Sequence, residues 1–574
     1  MLQLDGLLHN AMSFSLIHRC SDAIRRVFQR EAQKHVPLAD VLTDRLADSP
    51  DFLFKIGYSS ALGRHAIASP ALAEKPPGTL LLRELSQIWI PTGLGRDLVC
   101  HSCANEFTPT KSSRARWVFC QGCGEQMRYC STKCREEHAP LHQPICAILS
   151  DAATLAEQHQ CPLDLVHAFL ALVAKRAHGL LSGAVPKERE TLCSSPLAFE
   201  AGSEAFSQML GHAGALDFAS RRSLRALAIS ICNRLPEEIR PPLDLFYTWA
   251  SQINFNSHGL NRSSQINESF GFGLFPLGSI FNHSCLPNCT YTNEGAQLVF
   301  RLLRTVREGE ELCVNYTELY ESRDERRAML RVSKSFECRC QRCTHAPVGD
   351  EETRLIAAEP LVSAILCDQT KGCSGLLNQC DVLTDRLGDR SAEWQCSVCH
   401  TRCTYGHLLD SYLTPLRDRL QNAMLEYSQG LVGGAAASLR DTFESLLRSA
   451  LASLHPSHAL VFHCYLPLIN CCSSLKDYAA KERYTRALVE IATGVLPDYP
   501  PLANYLEAFA QSLNERVTTT PAMSRGERQA YAQEAIVALQ RALNICEVCY
   551  GGGHPKTLQT HDKLRRAQAA AKSR

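Results

Sequence analysis

The sequence predicts an α+β protein built from several domains. The chain has 574 residues, which is too long for one compact core and favours about three to five domains. Its 28 cysteines gather in closely spaced pairs with histidines nearby, so small metal-stabilised modules are expected. Short apolar runs bounded by glycine and proline predict two short β-strands joined by a turn at residues 58–84, whereas apolar residues at helical spacing dominate residues 408–574.

The composition excludes several classes of function. Hydrophobic residues make up 45% of the chain and charged residues 21%, as in ordinary soluble globular proteins. The formal net charge of +1 provides no field that would attract nucleic acid or an acidic membrane. No apolar run reaches the roughly 18 residues that span a bilayer, so no membrane partner is expected. Clustered cysteines without a secretory segment favour zinc in a reducing compartment, the cytoplasm and/or the nucleus.

The first fifty residues predict a helical extension. The segment 1–50 is moderately basic up to Arg30 and can form one or two amphipathic helices. A mitochondrial presequence is the alternative, but Asp5, Asp22 and Glu31 favour the helical arm because presequences are poor in acidic residues.

Residues 100–146 offer eight potential metal ligands in four close pairs. They are Cys100, Cys103, Cys120, Cys123, Cys130, Cys134, His142 and Cys146. Thiolates and imidazole at CxxC and HxxxC spacing suit closed, structural zinc sites. The segment has few large apolar side chains, so metal binding must supply much of its folding free energy. His138, one helical turn before His142, is a rival ligand.

The order of these pairs resembles the MYND zinc finger. The resemblance implies that the first and third pairs share one zinc ion and that the second and fourth pairs share another, and its spacing favours His142 over His138. MYND fingers are mostly protein-interaction modules, so proline-rich peptides are expected partners and nucleic acid is not.

A second motif carries the expected chemistry. Residues 281–289 read Phe-Asn-His-Ser-Cys-Leu-Pro-Asn-Cys, and they precede Asn315-Tyr316 and a CxCxxC at residues 338–343. This ordered set resembles the C-terminal half of a SET domain, the fold of protein lysine methyltransferases that use S-adenosylmethionine. A SET domain interrupted by a MYND finger is the layout of the SET-and-MYND family, which the chain resembles from about residue 51 to residue 570.

The resemblance assigns roles to individual residues. It implies that Tyr316 is the catalytic tyrosine and that S-adenosylmethionine is held by Gly63, Arg64, Asn256, Asn282 and His283. Glycine serves in the first loop because it tolerates unusual φ and close approach of the backbone. His65 stands where the family has a second glycine of that loop. The Asn256-Ser257 step is alternatively an ordinary turn.

Methyl transfer to lysine requires a neutral amine, in-line alignment and removal of water. The family pattern Tyr-x-Phe-x-Cys-x-Cys places a second tyrosine beside the lysine channel, but this chain has Lys334 at that position. A cation there would repel a substrate lysine unless it turned to solvent. Lys334 and His65 therefore support the alternative function, a weak or inactive scaffold that binds partners through its finger and helical lobe.

Two further cysteine groups predict zinc. Cys338, Cys340 and Cys343 supply three thiolates, and the resemblance implies Cys285 as the fourth ligand, with Cys289 or Cys313 as alternatives. Two later pairs with a tryptophan between them predict a zinc ribbon within residues 360–405; its ligands are Cys367, Cys373, Cys396 and Cys399, with Cys380, His400 and Cys403 to spare.

The predicted architecture is an α+β multidomain protein with a β-rich SET fold split by a MYND zinc finger, a helical insertion and an α-helical, TPR-like C-terminal lobe. The predicted segments are 1–50, helical extension; 51–99, SET N-terminal part; 100–146, MYND finger; 147–250, helical insertion; 251–332, SET C-terminal core; 333–346, post-SET zinc motif; 360–405, zinc ribbon; and 408–574, helical lobe. Residues 163–177 and 223–231 are expected helices of the insertion. In the lobe, His-Pro steps at residues 455–456 and 554–555 mark expected helix junctions, and a plain antiparallel bundle is the alternative to TPR-like pairs. The expected activity is transfer of methyl to a target lysine of a histone or non-histone protein.

Overall fold

The computed structural model describes most of the chain. It describes residues 53–59, 62–93, 95–106, 117–178, 209, 218–262, 269–344, 350–368, 372–380, 390–431 and 434–572. The predicted extension 1–50 and residues 345–346 of the post-SET motif lie outside the described residues.

The described chain begins with four short strands. They are β1 Phe54–Ser59, β2 Gly63–Ala68, β3 Leu80–Leu85 and β4 Ile88–Pro91. Strands β1 and β2 form an antiparallel hairpin in which Ser59 pairs with Gly63. The sequence predicted two strands joined by a turn around residues 58–84, and both are present as β2 and β3. They do not pair with each other, because β2 joins β12 and β3 joins β11, and each sheet is completed by strands far along the chain.

The first cysteine-rich segment is a small α+β module. Its elements are α1 Gly95–Leu98, β5 Val118–Cys120, β6 Gly124–Tyr129 and α2 Thr132–His142. Ser131 caps α2, since its hydroxyl accepts a hydrogen bond from the Cys134 amide at 3.1 Å.

A helical insertion follows. It contains α3 Cys146–Ser150, α4 Ala152–Gln158, α5 Leu163–Ala177, α6 Phe218–Cys232 and α7 Leu243–Asn256. The helices predicted at residues 163–177 and 223–231 are confirmed, the first with the bounds of α5 and the second within α6.

Six strands follow the insertion, and three of them pair with strands that precede the cysteine module. They are β7 Ser257–Asn261, β8 Ser269–Leu274, β9 Asn282–His283, β10 Cys289–Glu294, β11 Gln297–Leu302 and β12 Glu311–Val314. The sheets have the orders β1-β2-β12-β9, β10-β11-β3 and β4-β8-β7. The Glu84 carboxylate on β3 strengthens this return, because it accepts hydrogen bonds from the amides of Leu277 (2.9 Å) and Gly278 (2.7 Å). Strands on both sides of the cysteine module therefore build one β-rich unit.

A second cysteine-rich region leads into the C-terminal helices. Its elements are α8 Arg323–Lys334, α9 Gln341–Thr344, α10 Asp350–Ala358, β13 Ile365–Leu366, β14 Leu376–Gln379, β15 Glu393–Cys396, β16 Arg402–Thr404 and α11 Tyr405–Leu408. Strands β13 to β16 pair antiparallel in sequence order.

The C-terminal lobe is helical as predicted. Its helices are α12 Thr414–Ser428, α13 Ala435–Ser453, α14 Ala459–Ser474, α15 Tyr478–Val495, α16 Pro500–Thr519, α17 Arg525–Tyr550 and α18 Pro555–Lys572. Each helix packs against the next along the chain. The first His-Pro step lies between α13 and α14, and the second lies at the start of α18, where Pro555 is the first helical residue, so both mark helix junctions as expected.

The described residues form three apolar cores. One lies between the sheets around Phe281 and Phe300, whose rings stack at 4.5 Å. A second fills the helical insertion, and the third runs from the CxCxxC region through the lobe. Within this third core, the Tyr320 ring stacks on the Phe462 ring of the lobe at 3.7 Å between centroids, and the Tyr320 hydroxyl donates a hydrogen bond to the Ser457 carbonyl at 3.1 Å. In the part of the chain that the structure describes, no helix combines the length and apolarity needed to cross a bilayer.

Candidate active site and metal centres

The turn between β1 and β2 exposes backbone at one end of the sheet. Gly63 has φ of +66°, the left-handed region that favours glycine, and among the described residues other than its chain neighbours no heavy atom lies within 4 Å of the place where a Cβ would stand. The Leu62 amide donates to the Ser59 hydroxyl at 3.1 Å. In the described part of the chain, Gly63 therefore has free space beside its backbone.

Asn282 connects this turn to β12 across 220 residues of sequence. Its Nδ2 donates to the Leu62 carbonyl (3.1 Å) and to Oε1 of Glu311 (2.9 Å). Strand β9 pairs parallel with β12, with Asn282 opposite Cys313, and β12 pairs antiparallel with β2. The sheet thus brings the Gly63 turn, Asn282 and the end of β12 together.

Tyr316 lies just beyond the end of β12. Its amide donates to Nδ1 of His283 at 2.9 Å, and its hydroxyl donates to the Phe281 carbonyl at 2.6 Å. Burial raises the pKa of Tyr316, so the phenol stays protonated at neutral pH. His283 is buried and positions the tyrosine, and its Nε2 lies 3.2 Å from the Cys285 sulfur.

Asn288, the last residue of the Asn-His-Ser-Cys-x-Pro-Asn motif, fixes β12. Its Oδ1 accepts from the Cys313 amide (2.8 Å), and its Nδ2 donates to the Glu311 carbonyl (2.8 Å) and to Oε1 of Glu310 (3.0 Å). The motif therefore supplies a side chain that orders the strand leading to Tyr316.

The Asn256-Ser257 step, for which an ordinary turn was the alternative interpretation, lies at the junction of a helix and a strand. Asn256 ends α7 and Ser257 begins β7, because both side chains satisfy carbonyls of the last helical turn. Nδ2 of Asn256 donates to the Gln252 carbonyl at 2.9 Å, and the Ser257 hydroxyl donates to that of Ile253. The Phe255 carbonyl, one residue earlier, faces Lys334 instead.

Lys334 points inward. Its Nζ donates to the Phe255 carbonyl at 2.8 Å and lies 5.6 Å from the centroid of the Tyr316 ring. Burial lowers the pKa of Lys334 to about 8. Burial also lowers the pKa of the neighbouring His258 to about 4, and the charge of Lys334 adds to this shift. The sequence analysis expected Lys334 to repel a substrate lysine unless its side chain turned to solvent. In the structure the side chain points toward Tyr316 instead.

His65 and Arg64 follow the Gly63 turn within β2. The His65 ring packs against Gly57 on β1, where a Cβ would stand 2.9 Å from its Nε2, and its Nδ1 lies 3.0 Å from the Gly63 carbonyl. An extended strand residue does not need glycine, so His65 is compatible with the turn. Burial lowers the pKa of Arg64.

The eight candidate ligands of the first module form two groups. Cys100, Cys103, Cys130 and Cys134 form one, and Cys120, Cys123, His142 and Cys146 form the other, with the ligand atoms of each group within 4.8 Å of one another. Sulfur pairs lie 3.5 to 3.8 Å apart. A tetrahedral zinc site with bonds of about 2.3 Å spaces its sulfurs by roughly 3.8 Å, so the groups fit zinc. His138 lies outside the second group and interacts with the Tyr129 hydroxyl.

The third group combines Cys285 with Cys338, Cys340 and Cys343. Sγ of Cys285 lies 3.6 Å from Cys343 and 4.0 Å from Cys338, whereas Cys289 and Cys313 lie outside the group. The chain around 281–289 thus serves two sites: Asn282 faces the Gly63 turn and Cys285 faces the thiolates.

A buried charge network supports the third group. Arg326 donates from Nε to the Cys285 sulfur (3.1 Å) and from Nη2 to Oε1 of Glu359 (2.9 Å). Arg342 donates to the other oxygen of Glu359 at 2.5 Å. All three side chains are fully buried. These residues could not be predicted as part of the site, since a lone Arg or Glu on a helix gives no signal in the sequence.

The fourth group is Cys367, Cys373, Cys396 and Cys399, carried by the β13–β16 sheet. Its sulfurs pair at 3.6 and 3.7 Å. The spare candidates Cys380, His400 and Cys403 lie outside it. Among the described residues, these four Cys/His groups could bind zinc, and none of the described cysteines forms a disulfide.

The comparisons with known proteins agree with this geometry. A family model of the SET domain matches residues 35–317. Human histone-lysine N-methyltransferase SMYD3 is 30% identical over 273 residues, which cover 46% of this chain and 56% of that protein. A SET and MYND domain-containing protein of Dictyostelium discoideum is 29% identical over 137 residues, or 23% of this chain and 34% of that protein. Arabidopsis thaliana histone-lysine N-methyltransferase ASHR1 is 22% identical over 497 residues, which cover 86% of this chain and 92% of that protein.

The chain belongs to the SET-and-MYND family.

The alignment to SMYD3 spans little more than half of that relative, 56% of the human and 58% of the mouse protein. His65, which replaces a glycine of the SET-and-MYND pattern, is accommodated because its ring packs against Gly57. Lys334, which replaces a tyrosine of that pattern, changes the site because it places an amine near the Tyr316 ring. Lys334 is therefore the residue that most distinguishes this site.

Proposed function

We propose that the protein is a protein-lysine N-methyltransferase that uses S-adenosylmethionine and acts on a lysine of a histone or non-histone protein. The observation that carries the proposal is the meeting of the Gly63 turn, Asn282 and Tyr316 at one end of a sheet. Membership of the SET-and-MYND family supports it.

The residues present fit the cofactor. Gly63 leaves open space beside its backbone, and Asn282 lies at the same place, held by the Leu62 carbonyl. Arg64 follows the turn, and we propose that it and the Asn256 segment border the cofactor with the His283 backbone. When bound, S-adenosylmethionine would supply an electrophilic methyl group on a sulfonium.

Tyr316 would orient the acceptor. Its hydroxyl hydrogen is committed to the Phe281 carbonyl, so the oxygen lone pairs remain to accept weak hydrogen bonds from an amine or from polarised C–H groups. Because its pKa is raised, it does not act as a general base at neutral pH. Burial of the acceptor amine beside apolar walls would supply the neutral form instead, by lowering the pKa of that amine.

We further propose a domain plan and metal content. The SET fold is split by a MYND finger holding two zinc ions through the two groups of residues 100–146, a third zinc closes the post-SET motif, and a fourth holds a ribbon. The pairing of β3 with β11 and of β4 with β8 supports the split. Sulfur spacing near that of tetrahedral zinc supports the metal sites. The lobe of consecutive packed helices supports TPR-like pairs.

Partners and location follow from the same features. We propose a protein substrate with a target lysine, and proline-rich peptides as ligands of the finger. Thiolate zinc sites require a reducing compartment, so we propose the cytoplasm and/or the nucleus.

The first experiment is calorimetric titration of zinc-loaded protein with S-adenosylmethionine. We expect saturable binding that Asn282→Ala abolishes and that Asn544→Ala leaves unchanged, since Asn544 is exposed on α17 far along the chain. A second assay measures transfer of labelled methyl groups from S-adenosylmethionine to lysines of other proteins. We expect transfer by the native protein and reduced transfer by Tyr316→Phe. A folded, zinc-replete sample that binds no cofactor would refute the enzyme.

A second candidate function is a scaffold without methyltransferase activity. The inward placement of Lys334 favours it, since that amine occupies space beside Tyr316. Partner capture by the finger and lobe with no cofactor binding would be its signature.

A further inference from the structure

The amine of Lys334 lies where an acceptor amine is expected. Lys334 is the last residue of α8, and Ser335, with φ of +59°, ends the helix in the left-handed conformation. The side chain runs to the Phe255 carbonyl, which accepts from Nζ at 2.8 Å. On its other side the same nitrogen lies 5.6 Å from the centroid of the Tyr316 ring.

This amine therefore bridges the two walls of the candidate site. One wall is the tyrosine that follows β12, and the other is the end of α7, next to Asn256. The charge of Lys334 also acts on His258, which is buried in an aromatic cluster with Tyr291 at 5.2 Å between ring centroids.

Charge does not hold the amine in its protonated form. Within the described parts of the chain, Lys334 makes no ion pair with a carboxylate. Burial lowers the pKa of Lys334 to about 8, so roughly a tenth of the molecules carry a neutral amine at pH 7. The buried His258 adds no positive charge beside the amine, since its pKa is lowered to about 4. The site therefore holds a nucleophilic amine without an external substrate.

We propose that Lys334 is an internal methyl acceptor of this site. The inference rests on the proposed function, because the methyl donor is S-adenosylmethionine. The neutral Nζ attacks the methyl carbon, the nitrogen–carbon bond forms as the sulfur–carbon bond breaks, and the bonding pair leaves with sulfur. The sulfonium becomes the thioether of S-adenosylhomocysteine, and the methylammonium can then release its proton to solvent. No further reactant is required.

Methylation at Lys334 would also change the site. Each methyl group replaces a hydrogen on Nζ, so a trimethylated amine could no longer donate to the Phe255 carbonyl. The modified side chain would leave that carbonyl without its present donor and would fill more of the space beside Tyr316.

The test is peptide mass spectrometry of the full-length, zinc-loaded protein before and after incubation with S-adenosylmethionine. We expect methylated Lys334 at a rate independent of protein concentration, since the acceptor lies within the same chain. Lys334→Arg should lose the modification, and the matched variant Lys476→Arg, at an exposed lysine, should keep it. Tyr316→Phe should slow it by about tenfold or more. Methyl groups already present at Lys334 after purification count as the expected result.

A second readout requires no turnover. In protein labelled with ¹³C at the lysine ε-carbon, the Lys334 signal, assigned with Lys334→Arg, should shift when S-adenosylhomocysteine binds. A signal that stays in place while calorimetry records binding would overturn the proposal, because the amine would then lie away from the donor.

The outcomes separate this inference from the function on which it rests. If the protein binds the cofactor and methylates other proteins while Lys334 stays unmodified, the internal acceptor is refuted and the enzyme stands. If the folded protein binds no cofactor, the proposed function and the internal acceptor both fall. Methylated Lys334 supports both.

Discussion

The buried Glu359 offers the sharpest test of how the third cysteine group is held in place. Its two carboxylate oxygens accept from Arg326 at 2.9 Å and Arg342 at 2.5 Å, and all three side chains are fully buried. Burial alone would raise the pKa of Glu359, but the two guanidinium groups lower it below its ordinary value, so it is charged at neutral pH. The change Glu359→Gln keeps the shape and removes the one carboxylate that these two cations share.

Removing one partner of a buried ion pair leaves an uncompensated charge and costs about 3–5 kcal/mol. Zinc-bound thiolates near Arg326 supply compensating negative charge, so the cost in zinc-loaded protein should fall near the lower end of that range. The matched control is Glu393→Gln, which breaks the Arg402 pair on β15, where both side chains are more than half exposed (60% and 57%). An exposed pair is worth roughly 0–1 kcal/mol.

The assay is native-state amide hydrogen exchange of α8, which follows one region of a multidomain chain. Glu359→Gln should lower the opening free energy of α8 by about 3 kcal/mol, which is roughly two powers of ten in protection. Glu393→Gln should change it by less than about tenfold. Equal, small effects of the two changes would refute the argument that burial makes Glu359 essential.

The candidate site and the cysteine groups can each be perturbed by a single substitution. Tyr316→Phe should lower methyl transfer by about 10²-fold or more while cofactor binding by calorimetry is retained, because only the orienting hydroxyl is lost. Folding lowers the pKa of Lys334 to about 8 from roughly 10.4, so the native state binds fewer protons than the unfolded state between these pH values, and the free energy of unfolding rises with pH there. Lys334→Met should therefore raise the thermal midpoint at pH 7, and this gain should shrink as the pH rises above 8. Cys120→Ser should reduce the zinc content, measured by elemental mass spectrometry, from four ions per chain to three, and a chelator should unfold the module of residues 100–146. Gly63→Val should cost about 1–2 kcal/mol of stability in urea unfolding, since φ is +66°, and should also weaken cofactor binding; unchanged binding would contradict the role given to this turn.

Local patterns allowed much of the fold to be predicted. Apolar spacing predicted α5 at residues 163–177 because a helix is set by contacts three and four residues apart. The close ligand pairs were predicted from CxxC-type spacing for a similar reason, since two ligands close in sequence must lie close in space. The resemblance to the MYND finger and the SET domain implied which pairs share a group and that Cys285 completes the third, and the structure brings these four sets together.

Long-range pairing could not be predicted from the residues involved. Strands β2 and β3 were expected as neighbours because they are adjacent in sequence, yet each pairs with a strand more than two hundred residues later. The Arg326 and Glu359 pair was missed because each residue alone resembles an exposed helical charge, and only burial gives it meaning. An ordinary turn was the alternative interpretation of the Asn256-Ser257 step because these residue types favour turns, whereas Asn256 ends a helix in the structure.

The sequence by itself determined the kinds of module in this protein and the ligands available to them, because metal-ligand spacing, helical periodicity and capping are local properties. The tertiary structure decided the rest of the site. It placed Asn282 against the Gly63 turn through a hydrogen bond across 220 residues. It also turned Lys334 inward, where the Phe255 carbonyl accepts its amine and Tyr316 faces it. Whether a lysine side chain meets solvent or a buried tyrosine depends on what packs around it, and that information lies in segments distant along the chain.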